Sequence, residues 1–121
     1  MPDNSASRGE VMTHLCELRI LGGCAGPLQV HHILNRGKLN AIDGWKDYCE
    51  KEHPHIFLAH ICAAHNVSRI ADTKWARALL LKKRVNLFGG EYVAGVLDEL
   101  RRKSKTGIPE WRLEALMEFV R

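Results

Sequence analysis

No stretch of the 121 residues approaches the length of apolar run needed to cross a membrane, and no segment repeats another. Residues 1–8 are polar where a signal peptide would be apolar. The expectation is a cytoplasmic protein with no membrane partner, in a compartment where thiols stay reduced. That disfavours disulfides, so four cysteines (Cys16, Cys24, Cys49, Cys62) beside seven histidines suggest metal binding instead. Disorder is disfavoured too, because 45% of the residues are hydrophobic. A chain of this length makes one domain with a small core, a size that often gains rigidity from a metal.

Basic charge is scarce in the first half. Residues 1–65 carry 6 Lys/Arg and 7 Asp/Glu, whereas residues 66–121 carry 12 and 7. The basic half includes Lys82–Lys83–Arg84 and Arg101–Arg102–Lys103. Clustered cations suit a polyanion such as nucleic acid, and they equally suit a solvated helix face.

Residues 1–10 read as a flexible tail, and residues 11–20 as a short helix or strand leading into Cys16. Three glycines and a proline make residues 21–27 a turn. Leu28–Gln29–Val30–His31–His32–Ile33–Leu34 has the composition of a strand. Residues 35–38 read as loop, and 40–52 are ambiguous, with Trp45 and Tyr48 suited to a short helix. His53–Pro54–His55 is a break, and residues 56–61 are the second strand. A long helical pattern then runs from about 67 to 87 and stops at Gly89–Gly90. A further helix covers 91 to about 105, with Val93, Val96, Leu97 and Leu100 on one stripe. Ile108–Pro109–Glu110 restarts a last helix bearing Trp111, Leu113, Leu116 and Phe119. The apolar stripes at 93–100 and 111–119 can pack on the core or form a homodimer. Trp45, Trp75 and Trp111 are expected in the core, and His60 is expected as a core or strand histidine rather than a ligand.

The sharpest chemistry lies at the adjacent imidazoles. Side chains alternate along a strand, so His31 and His32 point to opposite faces and can do different work. One can hold a metal while the other accepts a proton. Cys16 and Cys24 flank the glycine-rich turn, and Cys62–x–x–His65 completes a second pair. Two such pairs suit tetrahedral zinc. Cys49 with His53 is a competing ligand source, and in a third reading His31 and His32 join the cysteines in one zinc site. Asn66 alone reads as a helix N-cap, though its amide oxygen is also a hard ligand suited to Mg²⁺.

The order of these parts (cysteine pair, Val-His-His-Ile strand, variable loop, second strand, Cys-x-x-His-Asn, helix) resembles the HNH endonucleases of the ββα-metal superfamily, in particular a zinc-bearing phage and bacterial subgroup. The resemblance spans about residues 14 to 75. It implies an α+β fold: an HNH-like ββα-metal core over residues 11–88 stapled by structural zinc, with a C-terminal helical extension over 89–121. It implies a DNA endonuclease of phage or bacterial host in which His32 is the general base. His31 and Asn66 would hold a catalytic Mg²⁺ or Mn²⁺, and Cys16, Cys24, Cys62 and His65 the zinc. His65 departs from the more usual Cys. The Asn that usually precedes the second strand and orients the base has no counterpart; Phe57 stands in that region, with His53 and His55 nearby.

Phosphodiester hydrolysis needs a deprotonated water and stabilised charge on the phosphate and leaving group. A neutral imidazole supplies the first, and a single divalent ion supplies the second. Arg36 and Lys38 can clamp phosphate or be ordinary loop charges. Lys74, Arg77, Lys82, Lys83 and Arg84, on the helix expected from Asn66 onward, can contact the DNA backbone or be ordinary helix surface. The rival expectation is a non-catalytic, zinc-stapled DNA-binding or assembly module on the same fold.

Overall fold

The computed structural model describes residues 15–120; the tail of residues 1–10, the first part of the 11–20 stretch and the Phe119 side chain lie outside that part. Its architecture is mixed α+β, a two-stranded sheet surrounded mostly by helices. The first strand, β1 (Leu28–His32), pairs antiparallel with β2 (Leu58–Cys62), His31 opposite Ala59 and His32 opposite Leu58. Paired residues share a face, so Gln29, His31, Ala59 and Ile61 lie on one side of the sheet. Ala59 and Ile61 are buried there. That alternation turns His60 outward: of its two expected places it takes the strand and not the core, exposed on the opposite face.

A two-stranded sheet is marginal on its own, so packing must hold it. Arg19–Leu21 is a single 3₁₀ turn before β1. The expected loop after β1 is a one-turn helix, α1 (Arg36–Leu39), because the Asn35 side chain caps it by accepting the Gly37 N–H at 2.7 Å. A π-helix follows over Asp47–Glu52 and buries Tyr48 and Cys49. Tyr48 also donates its hydroxyl to the Val96 carbonyl at 2.8 Å. Pro54 opens a short helix, α2 (Pro54–Phe57), so Ile56 and Phe57 precede the second strand instead of starting it.

The helix expected over 67–87 is interrupted. A short helix, α3 (Ala63–Val67), leads to a left-handed Arg69 (φ 67) and a 3₁₀ turn over Ile70–Asp72. The long helix α4 (Lys74–Phe88) then starts afresh, capped by the Thr73 hydroxyl accepting the Ala76 N–H. Asn66 therefore lies in the last turn of α3 and caps nothing. At Gly89 the backbone turns through φ 92, a conformation L side chains rarely adopt, and α5 (Gly90–Arg102) begins.

The α5 stripe of Val93, Val96, Leu97 and Leu100 is buried, so it packs on the core rather than waiting for a second copy. The last helix is fragmented into a turn over Pro109–Trp111, α6 (Leu113–Leu116) and a turn over Met117–Val120. Trp45 and Trp111 are in the core, but Trp75 is 47% exposed, since α4 buries Ala76, Leu80, Leu81 and Arg84 instead.

Arg84 ties these layers together. Its guanidinium donates to both oxygens of Glu17 (2.6 and 3.1 Å), to the Leu80 carbonyl at 2.9 Å and to the Leu58 carbonyl at 2.7 Å. Glu17 in turn accepts the His60 N–H at 2.8 Å. Burial raises the Glu17 carboxyl, but the Arg84 hydrogen bond and charge more than offset this and hold it below its ordinary value. Arg84, expected to face DNA, is thus an internal strut linking α4 to β2. Among the described residues, no helix is long and apolar enough to cross a membrane.

Candidate functional site

Cys16, Cys24, Cys62 and His65 converge, with their ligand atoms all within 4.8 Å of one another. The three sulfurs stand 3.4, 3.9 and 3.3 Å from His65 Nδ1. A tetrahedral zinc with bonds of about 2.3 Å to sulfur and about 2.0 Å to nitrogen sets such an edge at about 3.5 Å. The donor set and spacing therefore fit a metal ion of that kind. His65 Nε2 lies 2.8 Å from the Gly22 carbonyl and donates to it, which leaves the Nδ1 lone pair aimed at the sulfurs.

The surrounding backbone is arranged for thiolates. The Cys62 N–H donates to Cys16 Sγ at 3.2 Å. Burial raises the Cys62 thiol, but backbone hydrogen bonds from His65 and Ala25 help bring it down to about 7. Desolvation and the neighbouring Cys16 and Cys62 sulfurs push Cys24 up to about 11. Three crowded sulfurs resist ionising together, and a bound cation removes that conflict. The glycine-rich turn is fastened to α3 by Ala64 N–H to Ala25 and Ala63 N–H to Pro27 bonds of 3.0 and 2.9 Å. At Gly26 (φ 82) any Cβ would stand 2.8 Å from Ala63 Cβ, so only glycine fits. Cys49 belongs elsewhere: it is buried and pushed up to about 12 by that burial. His31 and His32 are not in the cluster either, which corrects the single-site reading.

The two strand histidines meet Asn66 in a separate cleft of about 350 Å³, whose walls also hold Arg36, Arg69, Asp72 and Arg77. The His31 side chain is only 10% exposed, and its Nε2 is buried without a hydrogen-bond partner, 4.0 Å from Asp72 Oδ1. A backbone hydrogen bond ties the ring to Ala71. Burial lowers the His31 pKa, outweighing the pull of the Asp72 carboxylate, so the ring is neutral at neutral pH with a lone pair to offer.

His32 is held differently. Its Nε2 hydrogen-bonds Glu50 Oε2 at 2.7 Å, and its ring meets Trp45 edge-on at 5.7 Å. The π-helix carries Glu50 there, anchored by buried Tyr48 and Cys49. Asn66 Nδ2 donates to Gln29 Oε1 at 2.6 Å, which holds the amide beside the His31 face of β1. Arg77 crosses beneath, its Nε donating to the Ile33 carbonyl at 2.9 Å.

Lys38 and Lys74 line a neighbouring cleft of about 340 Å³ that shares Asn35 and Arg77 with the first, and Lys38 is ion-paired with Glu110. Lys82, Lys83 and Arg84 line neither cleft, and Lys83 lies 3.9 Å from Glu17. Two cleft residues, Arg69 and Asp72, escaped sequence reasoning, as did Glu50, the partner of His32. The cue for Asp72 was present, since Asp-Thr ahead of an apolar helical pattern is a helix-start signal. No comparable cue marks Glu50. Compared with family models, curated proteins and solved structures, the chain finds no match.

Proposed function

We propose that this protein is a metal-dependent DNA endonuclease of HNH type, with β1, β2 and the helices after β2 forming a ββα-metal site and the Cys₃His cluster holding structural zinc. The observation that carries the reading is the division of labour between adjacent histidines. One presents a buried, unpartnered Nε2, the other is gripped by a carboxylate, and both open into one cleft with Asn66.

In this reading His32 takes the proton from the attacking water, while Glu50 fixes the ring and offsets the charge the imidazole gains. Water oxygen bonds to phosphorus as the bond to the 3′ oxygen breaks, and the departing 3′ oxygen takes a proton from solvent, giving a 5′ phosphate and a 3′ hydroxyl. His31 and Asn66 would hold a Mg²⁺ or Mn²⁺ ion, which would supply Lewis acidity for the phosphoryl transfer. Arg36, Arg69 and Arg77 receive the phosphate oxygens and orient the strand without reading its bases.

Plasmid nicking by zinc-loaded protein, with and without Mg²⁺ or Mn²⁺, tests this. Metal-dependent conversion of supercoiled to open-circular DNA, lost in His32→Ala, is the expected result. DNA binding without nicking under any divalent metal overturns it in favour of a non-catalytic DNA-binding or assembly module.

A further inference from the structure

Taken alone, His31 and Asn66 make a chemically weak cradle. Both are neutral, and Mg²⁺ and Mn²⁺ favour oxygen donors, usually including a carboxylate. The cleft contains one. Asp72 Oδ1 faces His31 Nε2 across 4.0 Å, while its other oxygen, Oδ2, lies 3.5 Å from Arg69 Nε. The nitrogen it faces is buried and has no hydrogen-bond partner, an arrangement that costs free energy unless something fills it.

We propose that Asp72 is a ligand of a hard divalent cation in this cleft, together with His31 and Asn66. This rests on the proposed function and deepens it by naming the site's charged ligand. An ion bonded at about 2.1 Å to each of two atoms spans separations up to about 4.2 Å, so the observed gap lies within reach. The backbone explains how Asp72 arrives. The left-handed turn at Arg69 and the 3₁₀ turn over Ile70–Asp72 redirect the chain after α3 and place Asp72 just ahead of the Thr73 cap of α4. Arg69 keeps one carboxylate oxygen occupied, which leaves Oδ1 for the ion. Asp72 supplies the negative charge that two neutral ligands lack.

The test is Mn²⁺ binding to zinc-loaded protein in the absence of DNA, followed by calorimetry and by the electron-spin resonance of free Mn²⁺. Wild type should bind one Mn²⁺, and Asp72→Asn and His31→Ala should each weaken binding at least about tenfold. Zinc content and circular dichroism should stay unchanged in both. Unaltered Mn²⁺ affinity in Asp72→Asn, or no Mn²⁺ uptake by wild type, overturns the proposal. The two levels separate cleanly. Mn²⁺ binding that depends on Asp72 without nicking supports this ligand while sinking the nuclease. Nicking that needs His31 but survives Asp72→Asn with full Mn²⁺ affinity does the reverse.

Discussion

At the scale of single residues, the candidate site rests on two imidazoles joined by one peptide bond and opening into one cleft. Strand alternation separates them, and different neighbours then assign their chemistry: burial and a backbone hydrogen bond for His31, a carboxylate for His32. His32→Ala should lower nicking by about 10²- to 10⁴-fold with the melting temperature and DNA affinity retained. Glu50→Ala should lower kcat while leaving KM for DNA unchanged. Glu50→Gln, which keeps a hydrogen-bonding oxygen, should recover part of that loss. Ring ¹⁵N shifts of His32 would show one tautomer in wild type and an average of two in Glu50→Ala.

The paired histidines were legible because a period of two needs only a short run of sequence. Glu50 was not, because it reaches His32 from 18 residues away along a π-helix that no local pattern announces. Arg84 could have been placed correctly. Ala76, Leu80 and Arg84 recur every four residues, the spacing of one helix face, so its position outweighed its charge.

At the scale of elements, the Glu17–Arg84 pair joins α4 to the segment before β1. Removing one partner of such a pair strands the other. Arg84→Met should therefore cost about 3 kcal/mol in urea unfolding. The pH dependence follows from Glu17, whose folded value lies below the ordinary 4.5. Its contribution to stability is complete above that pH and fades as pH falls through the lowered value, because the unfolded chain binds the proton first. Glu17→Gln should flatten the acid limb of a stability–pH curve.

The Cys₃His cluster was legible from its ligands arriving as two pairs, whereas the interruption of the expected 67–87 helix was not. No glycine or proline marks it, and a left-handed Arg69 makes the break. Gly26→Ala should cost about 2 kcal/mol, since the new methyl meets Ala63 in a backbone conformation it also disfavours. Its effect should appear in the zinc-binding isotherm as well as in the melting temperature.

At the scale of the molecule, two clefts joined through Asn35 and Arg77 form one track bearing Arg36, Arg69, Arg77, Lys38 and Lys74. The excess of positive charge in the second half suggested a polyanion partner in general, but folding decides which cations line the clefts. Lys82, Lys83 and Arg84 lie off the track, and Arg36 from the evenly charged first half lies on it. A plot of log affinity for duplex DNA against log salt should be linear. Arg36→Ala should reduce its slope by about 1, and Lys82→Ala should leave it unaltered.

His65 and Asn66 are consecutive residues, and Cys62 stands across the sheet from Leu28, three positions before His31. The Cys₃His cluster and the His31 cleft therefore hang on the same stretches of backbone. Under the proposed function, a chelator that strips the Cys₃His cluster should also weaken Mn²⁺ binding in the cleft, without competing for that second ion.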